Sequence, residues 1–275
     1  MKRVIIGLLF FTVASATYGN VDTGFEAPDY VGSATGTLLA GQQGWYVPVA
    51  GSAEYNVFTY AGNTHGIVQN PLGDEQFVAG RHEGDLAFGR AQLDHDWSAE
   101  DLWYTEYDVA VAWTGDFNLA QDFIGSFSQQ PSATSHYWQS VFAWDDEPAA
   151  TAWTHAYVTL EHGAATPLVP GAMWAGLELN HWYRFGTLVR MSTEEVLEVS
   201  ITDLHTGASD FVVLDPPEHF NNPGSPDPSG LRFFTGGGNG DDPAGNLVAW
   251  DNLSIIPEPA TLGLLLAGLV ALRRR

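Results

Sequence analysis

Glu106 and Asp108 stand two residues apart in the run Trp103-Tyr104-Thr105-Glu106-Tyr107-Asp108-Val109-Ala110-Val111-Ala112-Trp113, whose alternation reads as a β-strand. Residues two apart on a strand share a face. Two carboxylates aimed together in this way are what acid/base chemistry on a glycosidic bond requires. The same alternation sets Trp103, Thr105, Tyr107, Val109, Val111 and Trp113 on the opposite face, so the expectation is a buried aromatic side and a solvated acidic side. On that reading the two acids are surface charge. Asp145-Asp146-Glu147-Pro148 is denser in acid, but consecutive residues ending on proline read as a loop. The nine histidines are scattered, with no His-Glu-x-x-His or other zinc spacing. Gly125-Ser126-Phe127-Ser128 lacks the closing glycine of a nucleophile elbow. No catalytic residue is assigned.

Two further sets of residues have the chemistry of binding. Gly236-Gly237-Gly238-Asn239-Gly240-Asp241-Asp242 is no phosphate loop, since it lacks the Lys-Ser/Thr ending and adds negative charge. Its Asn239, Asp241 and Asp242, with Asn246 beyond, offer the oxygen ligands that calcium takes. The same residues also suit a plain Asx/Gly turn capping the next strand. Trp45, Tyr46, Trp138, Trp144, Trp153 and Trp174 lie near turns or strand ends, where a ring can stack on a pyranose; most aromatic residues in a sandwich fill its core instead.

The elements that would position these groups are strands. The chain has 275 residues, 45% hydrophobic and 13% aromatic, with 30 glycines and 15 prolines, a composition of many strands joined by turns around a sizeable core. Strand patterns recur at 54–60, 76–80, 85–90, 103–113, 123–127, 137–144, 153–160 and 247–255. The segments 182–191 and 196–203 form a hairpin through Ser192–Glu195, in which Leu197, Val199 and Ile201 alternate with Glu198, Ser200 and Thr202. No repeat or long linker divides the chain, so residues 20–256 read as one domain. Between the ends stand 32 of the 33 acids against Arg81, Arg90, Arg184, Arg190 and Arg232, a formal charge of −27 that repels nucleic acid. Absence of cysteine excludes disulfides, thiol nucleophiles and thiolate metal sites.

The two ends carry signals. Lys2 and Arg3, the apolar Val4–Phe11 and the small Ala14-Ser15-Ala16 are the three parts of a secretory signal peptide, residues 1–16, with cleavage expected after Ala16 by signal peptidase. Residues 257–275 run Pro257-Glu258-Pro259-Ala260, a short apolar helix over Thr261–Leu272, and Arg273-Arg274-Arg275. This closely resembles the PEP-CTERM sorting signal of exported proteins of Gram-negative bacteria. The resemblance implies recognition by an exosortase, processing near Pro257-Glu258-Pro259, and transient or permanent attachment to the inner membrane. The apolar run is shorter than the ~20 residues that span a bilayer comfortably. The arginine cluster would stay on the cytoplasmic side.

Asp22-Thr23-Gly24-Phe25-Glu26, Gly41-Gln42-Gln43-Gly44-Trp45, the Trp182–Asp203 hairpin and Trp250-Asp251-Asn252-Leu253-Ser254-Ile255 together look like exported proteins with a concanavalin A-like (laminin G-like) jelly roll. The resemblance implies an all-β antiparallel sandwich flanked by the signal helix and the apolar tail helix, and it adds Asp251 as a candidate calcium ligand. Glycosidases of this superfamily carry a third acid on the strand of the first two, where this chain has Ala110 and Val111. The expectation is an exported cell-envelope or extracellular-matrix protein, non-enzymatic, that binds exopolysaccharide. A secreted glycan hydrolase or lyase is the alternative.

Overall fold

The computed structural model describes residues 21–81, 89–113, 124–130, 138–143, 155–160, 172–220, 227–236 and 246–257. The expected signal helix and apolar tail helix lie outside them. Two antiparallel sheets are stacked. The larger orders β12-β11-β10-β6-β14-β4-β3-β2, with β1 also on β14. In chain order its strands are β1 (Val21–Thr23), β2 (Thr37–Leu38), β3 (Asn56–Thr59), β4 (Gln76–Arg81), β6 (Leu102–Trp113), β10 (Tyr183–Arg190), β11 (Glu195–Asp203), β12 (Ser209–His219) and β14 (Asn246–Pro257). The smaller orders β5-β13-β7-β8-β9, that is Gly89–Asp94, Gly230–Thr235, Gly125–Gln130, Trp138–Ala143 and His155–Leu160. The hairpin foreseen between 182 and 203 forms as β10 and β11.

The core between the sheets is aromatic. Trp45 stacks on Phe233 at 4.8 Å, Phe233 on Trp250 at 4.6 Å, and Tyr107 on Phe127 at 4.4 Å. Each large apolar side chain removed from water in this way contributes about 1.5–3 kcal/mol. Trp103, Thr105, Tyr107, Val109 and Val111 point into this core, as the alternation of β6 requires.

The other face of β6 departs from expectation. Asp108, Ala110 and Ala112 are buried as well, because the loop between β3 and β4, residues 60–75, folds across the outside of the large sheet. Tyr60 and Ile67 from this loop join Phe58, Phe77, Ala249 and Trp182 in a second, smaller core. Where the loop lies over it the strand shows no wet side, while Tyr104 and Glu106 farther along the same face stay half-buried. Among the described residues no helix is long and apolar enough to cross a membrane.

Candidate functional site

Trp45 and Tyr46 are consecutive on an extended chain and therefore face opposite ways. Trp45 goes into the core. Tyr46 pairs with Gln92 of β5 through two backbone hydrogen bonds of 2.9 and 2.8 Å, adding one residue to the edge of the small sheet, and the residue stays 37% exposed. Because Ala91, Leu231 and Phe233 take the core side, Arg90, Gln92 and Asp94 of β5 and Arg232 and Phe234 of β13 stand on the outer side. Register places Arg232 opposite Gln92 and Phe234 opposite Arg90.

A chain of hydrogen bonds crosses this face. Arg232 Nε donates to Gln92 Oε1 at 3.1 Å, Gln92 Nε2 donates to the Tyr46 hydroxyl at 2.8 Å, and that hydroxyl donates to Asp94 Oδ1 at 2.8 Å. Burial, and then the neighbouring Arg90 charge, bring the Arg232 guanidinium down to about 10, so it stays cationic at neutral pH. Burial and the hydrogen bond to Asp94 raise the Tyr46 phenol, which therefore stays protonated and donates. Arg90 also lies over the Phe234 ring at 5.2 Å and donates to Ser52 Oγ at 2.9 Å.

At the end of the chain a surface cavity of about 610 Å³ opens between residues 94–98 and 227–229, and Asp94, Asp96 and Asp227 line it. His95 beneath it is packed edge-on against Trp97 and Trp103, at 4.5 and 4.9 Å. Burial holds its imidazole down to about 4, so it is neutral in most conditions. A partly exposed aromatic ring with a fixed hydroxyl, beside carboxylates that accept from sugar hydroxyls, is the chemistry of glycan binding.

The acids that opened the sequence analysis form a different kind of site. Asp108 of β6 is directly opposite Asp251 of β14, and both are 0% exposed. Arg184 of β10 grips Asp108 with Nε at 2.6 Å and Nη2 at 3.0 Å, while its Nη1 reaches Glu106 at 3.1 Å. Asn70 Nδ2 bonds Asp108 Oδ2 at 2.8 Å and Asp251 Oδ2 at 3.2 Å. The Tyr60 hydroxyl donates to Asp251 Oδ2 at 2.8 Å, and the Asn252 backbone N–H to Oδ1, also at 2.8 Å. The β14 ladder is broken between Asp251 and Ser254, and Asn252 takes a φ of 45° there, which lets its amide return to Asp108 at 2.8 Å. Asp108 is thus a structural anchor, not a solvated acid. Sealed from solvent, the pair reaches no substrate.

This donor set also tests Asp251 as a calcium ligand. Calcium needs converging oxygen acceptors, yet what converges on Asp251 is O–H and N–H. Among the described residues no group of three or more histidine or acidic side chains is arranged to hold a metal. Asp251 does not fit the ion. Asn239, Asp241, Asp242 and the side chain of Asn246 lie outside the described residues.

Of the aromatic candidates, Trp45 and Trp174 are each 1% exposed and face the protein's own rings, Phe233 and Phe185, so neither can stack on a sugar. Tyr46 is the accessible one among those described. Trp144 and Trp153 lie outside the described residues, as does the side chain of Trp138, whose backbone belongs to β8. Asp94, Arg232 and the cavity escaped the sequence reading, because residues 94–98 and 227–229 meet only in the fold.

No protein family matches the sequence, and no curated protein does. Among solved structures the chain is similar to a carbohydrate esterase from Shiga toxin-encoding bacteriophage phi24B, with a TM-score of 0.46, 13% identity, and 82% of this chain and 98% of that one covered. It is also similar to the lectin UEA-II complexed with galactose (TM-score 0.44, 10% identity, 86% and 97% covered). A third likeness is to an alginate lyase from Aplysia kurodai (TM-score 0.43, 13% identity, 69% and 86% covered).

Proposed function

We propose that this is an exported cell-envelope or matrix protein of a Gram-negative bacterium with a concanavalin A-like body, and that it binds exopolysaccharide on the outer face of the small sheet without turning it over. The observation that carries this reading is Tyr46: a partly exposed aromatic residue whose hydroxyl is fixed by Gln92 and by Asp94, and Asp94 in turn lines a surface cavity. The paired acids Asp108 and Asp251, which could have suggested hydrolysis, are closed off by their own hydrogen bonds.

Export and sorting rest on the two ends of the sequence. Strand β14 runs to Pro257, which pairs with Trp103, and a processing point just beyond that strand is consistent with this reading. Signal peptidase and an exosortase are the implied partners. Mass spectrometry of the protein from its native envelope would give a new N-terminus at Thr17 and a C-terminus near Pro257–Pro259; an intact chain would contradict this.

A panel of polysaccharides, including the producer's own, scored for both retention and released reducing ends, tests the binding reading. Retention without release is expected. Release of reducing ends would establish the hydrolase or lyase alternative in its place.

A further inference from the structure

The cavity that Asp94 lines is framed by two stretches of backbone fixed side by side. His95 N donates to Ser229 O at 3.0 Å, and Asp94 stands opposite Gly230 in the pairing of β5 with β13. Glycine is needed at that crossing, because a Cβ on Gly230 would come within 2.7 Å of the Leu93 carbonyl oxygen.

The charge of the cavity has one sign. Asp94, Asp96 and Asp227 line it and are exposed, and no lysine or arginine lines it with them. The Tyr46 hydroxyl occupies only Oδ1 of Asp94, and the Ser98 N–H and hydroxyl occupy only Oδ1 of Asp96. Both Oδ2 atoms and the whole Asp227 carboxylate therefore keep their acceptor capacity among the described residues. The Ser98 hydrogen bonds hold the Asp96 carboxyl below its usual range, so it is ionised. Nearby guanidiniums are directed elsewhere: Arg232 is 5% exposed and bonded to Gln92, and Arg90 reaches Ser52.

A second observation points to an occupant. His95 lines the same cavity and is 6% exposed, and its Nε2 has no hydrogen-bond partner among the described residues. A polar atom buried without a partner is costly to the fold, and the cavity is where a partner can enter.

We infer that the glycan taken by this face is an amino-sugar polymer with free amines, whose ammonium group sits among Asp94, Asp96 and Asp227. The inference rests on the reading of Tyr46 as a glycan-binding residue. An ammonium group carries three donors on one point charge, which is what unfilled carboxylate oxygens accept. N-acetylation removes that charge. A uronate or sulfated chain would bring negative charge to a body that already holds 32 acids against five arginines.

Titration calorimetry of the full chain at about pH 5.5, where the aspartates are ionised and the amine is protonated, tests this with two hexasaccharides, one of glucosamine and one of N-acetylglucosamine. The glucosamine hexamer should bind about tenfold tighter, the worth of one charge-assisted hydrogen bond. Asp96→Asn with Asp227→Asn should abolish that preference. Asp74→Asn with Glu218→Gln, which removes two charges on the side of the large sheet, should leave it intact. Equal loss from the two pairs would overturn the inference, since it would show attraction of a polycation to an acidic surface. Hexalysine bound as tightly, with the same dependence on Asp96 and Asp227, would also overturn it by making a basic peptide the ligand. Equal affinity for the two sugars would overturn the amine preference and leave the glycan reading standing. If neither sugar binds, the inference falls, and the polysaccharide panel decides the glycan reading separately.

Discussion

Asp108 and Asp251 face each other across the paired strands β6 and β14, and one amide nitrogen, Asn70 Nδ2, bonds them both. The pair joins three parts of the chain far apart in sequence, and only Asp108 has a guanidinium on it. That asymmetry decides what each substitution costs.

Arg184→Met leaves Asp108 buried with no cation. Breaking a buried pair from one side costs about 3–5 kcal/mol. Urea denaturation should show a loss of that size, and Asp108→Asn in the same chain should recover most of it. Equal loss in the single and double variants would mean that Arg184 acts through packing alone.

Stability against pH follows from two groups of opposite sign. Asp251 has its carboxyl raised from 3.8 to about 8, so the folded state holds a proton that the unfolded state has lost, and stability falls as pH rises across that window. His95 is lowered from 6.5 to about 4, so between those values the unfolded state holds the extra proton and stability rises with pH. The two oppose each other between about pH 4 and 6.5, where His205, also held below 6.5 by burial, adds to the rise with pH. What remains is a decline from about 6.5 to 8, with a slope of about 1.4 kcal/mol per pH unit at most. Thermal melts should show it; Asp251→Asn should erase it, and His95→Phe should extend it down towards pH 4.

Gly125 of β7 pairs with Thr235 of β13. A methyl group there would stand 2.5 Å from the Phe234 carbonyl oxygen and 3.0 Å from Val248. Backbone cannot swing aside as a side chain can, so Gly125→Ala should destabilise by about 1–3 kcal/mol. A melting temperature unchanged by that substitution would show that the pairing of the two strands can relax.

The strands β6, β10, β11 and β14 were legible in the sequence because each sends its large apolar side chains to the main core between the sheets. Strand β12 was not, since Pro216 and Pro217 argue against a strand; its place at the edge of the large sheet tolerates them. β13 is short and follows Pro223, Pro226 and Pro228, yet lies second in the small sheet between β5 and β7. Tyr46 was legible as one ring among six. Which of Trp45 and Tyr46 turns inward was not, because Phe233, nearly 200 residues away in sequence, completes the stack on Trp45. Asp108 was read correctly as opposite the aromatic face and wrongly as wet, because the loop that covers it comes from a distant stretch of chain without periodicity.

Affinity electrophoresis through gels containing the producer's exopolysaccharide tests the binding face most directly, with wild type, Tyr46→Ala and Tyr46→Phe run side by side. The wild type should be retarded, Tyr46→Phe nearly as much because it keeps the stacking ring, and Tyr46→Ala weakened about three- to tenfold by losing it. Equal migration of all three, whether retarded or not, would contradict a glycan site at Tyr46.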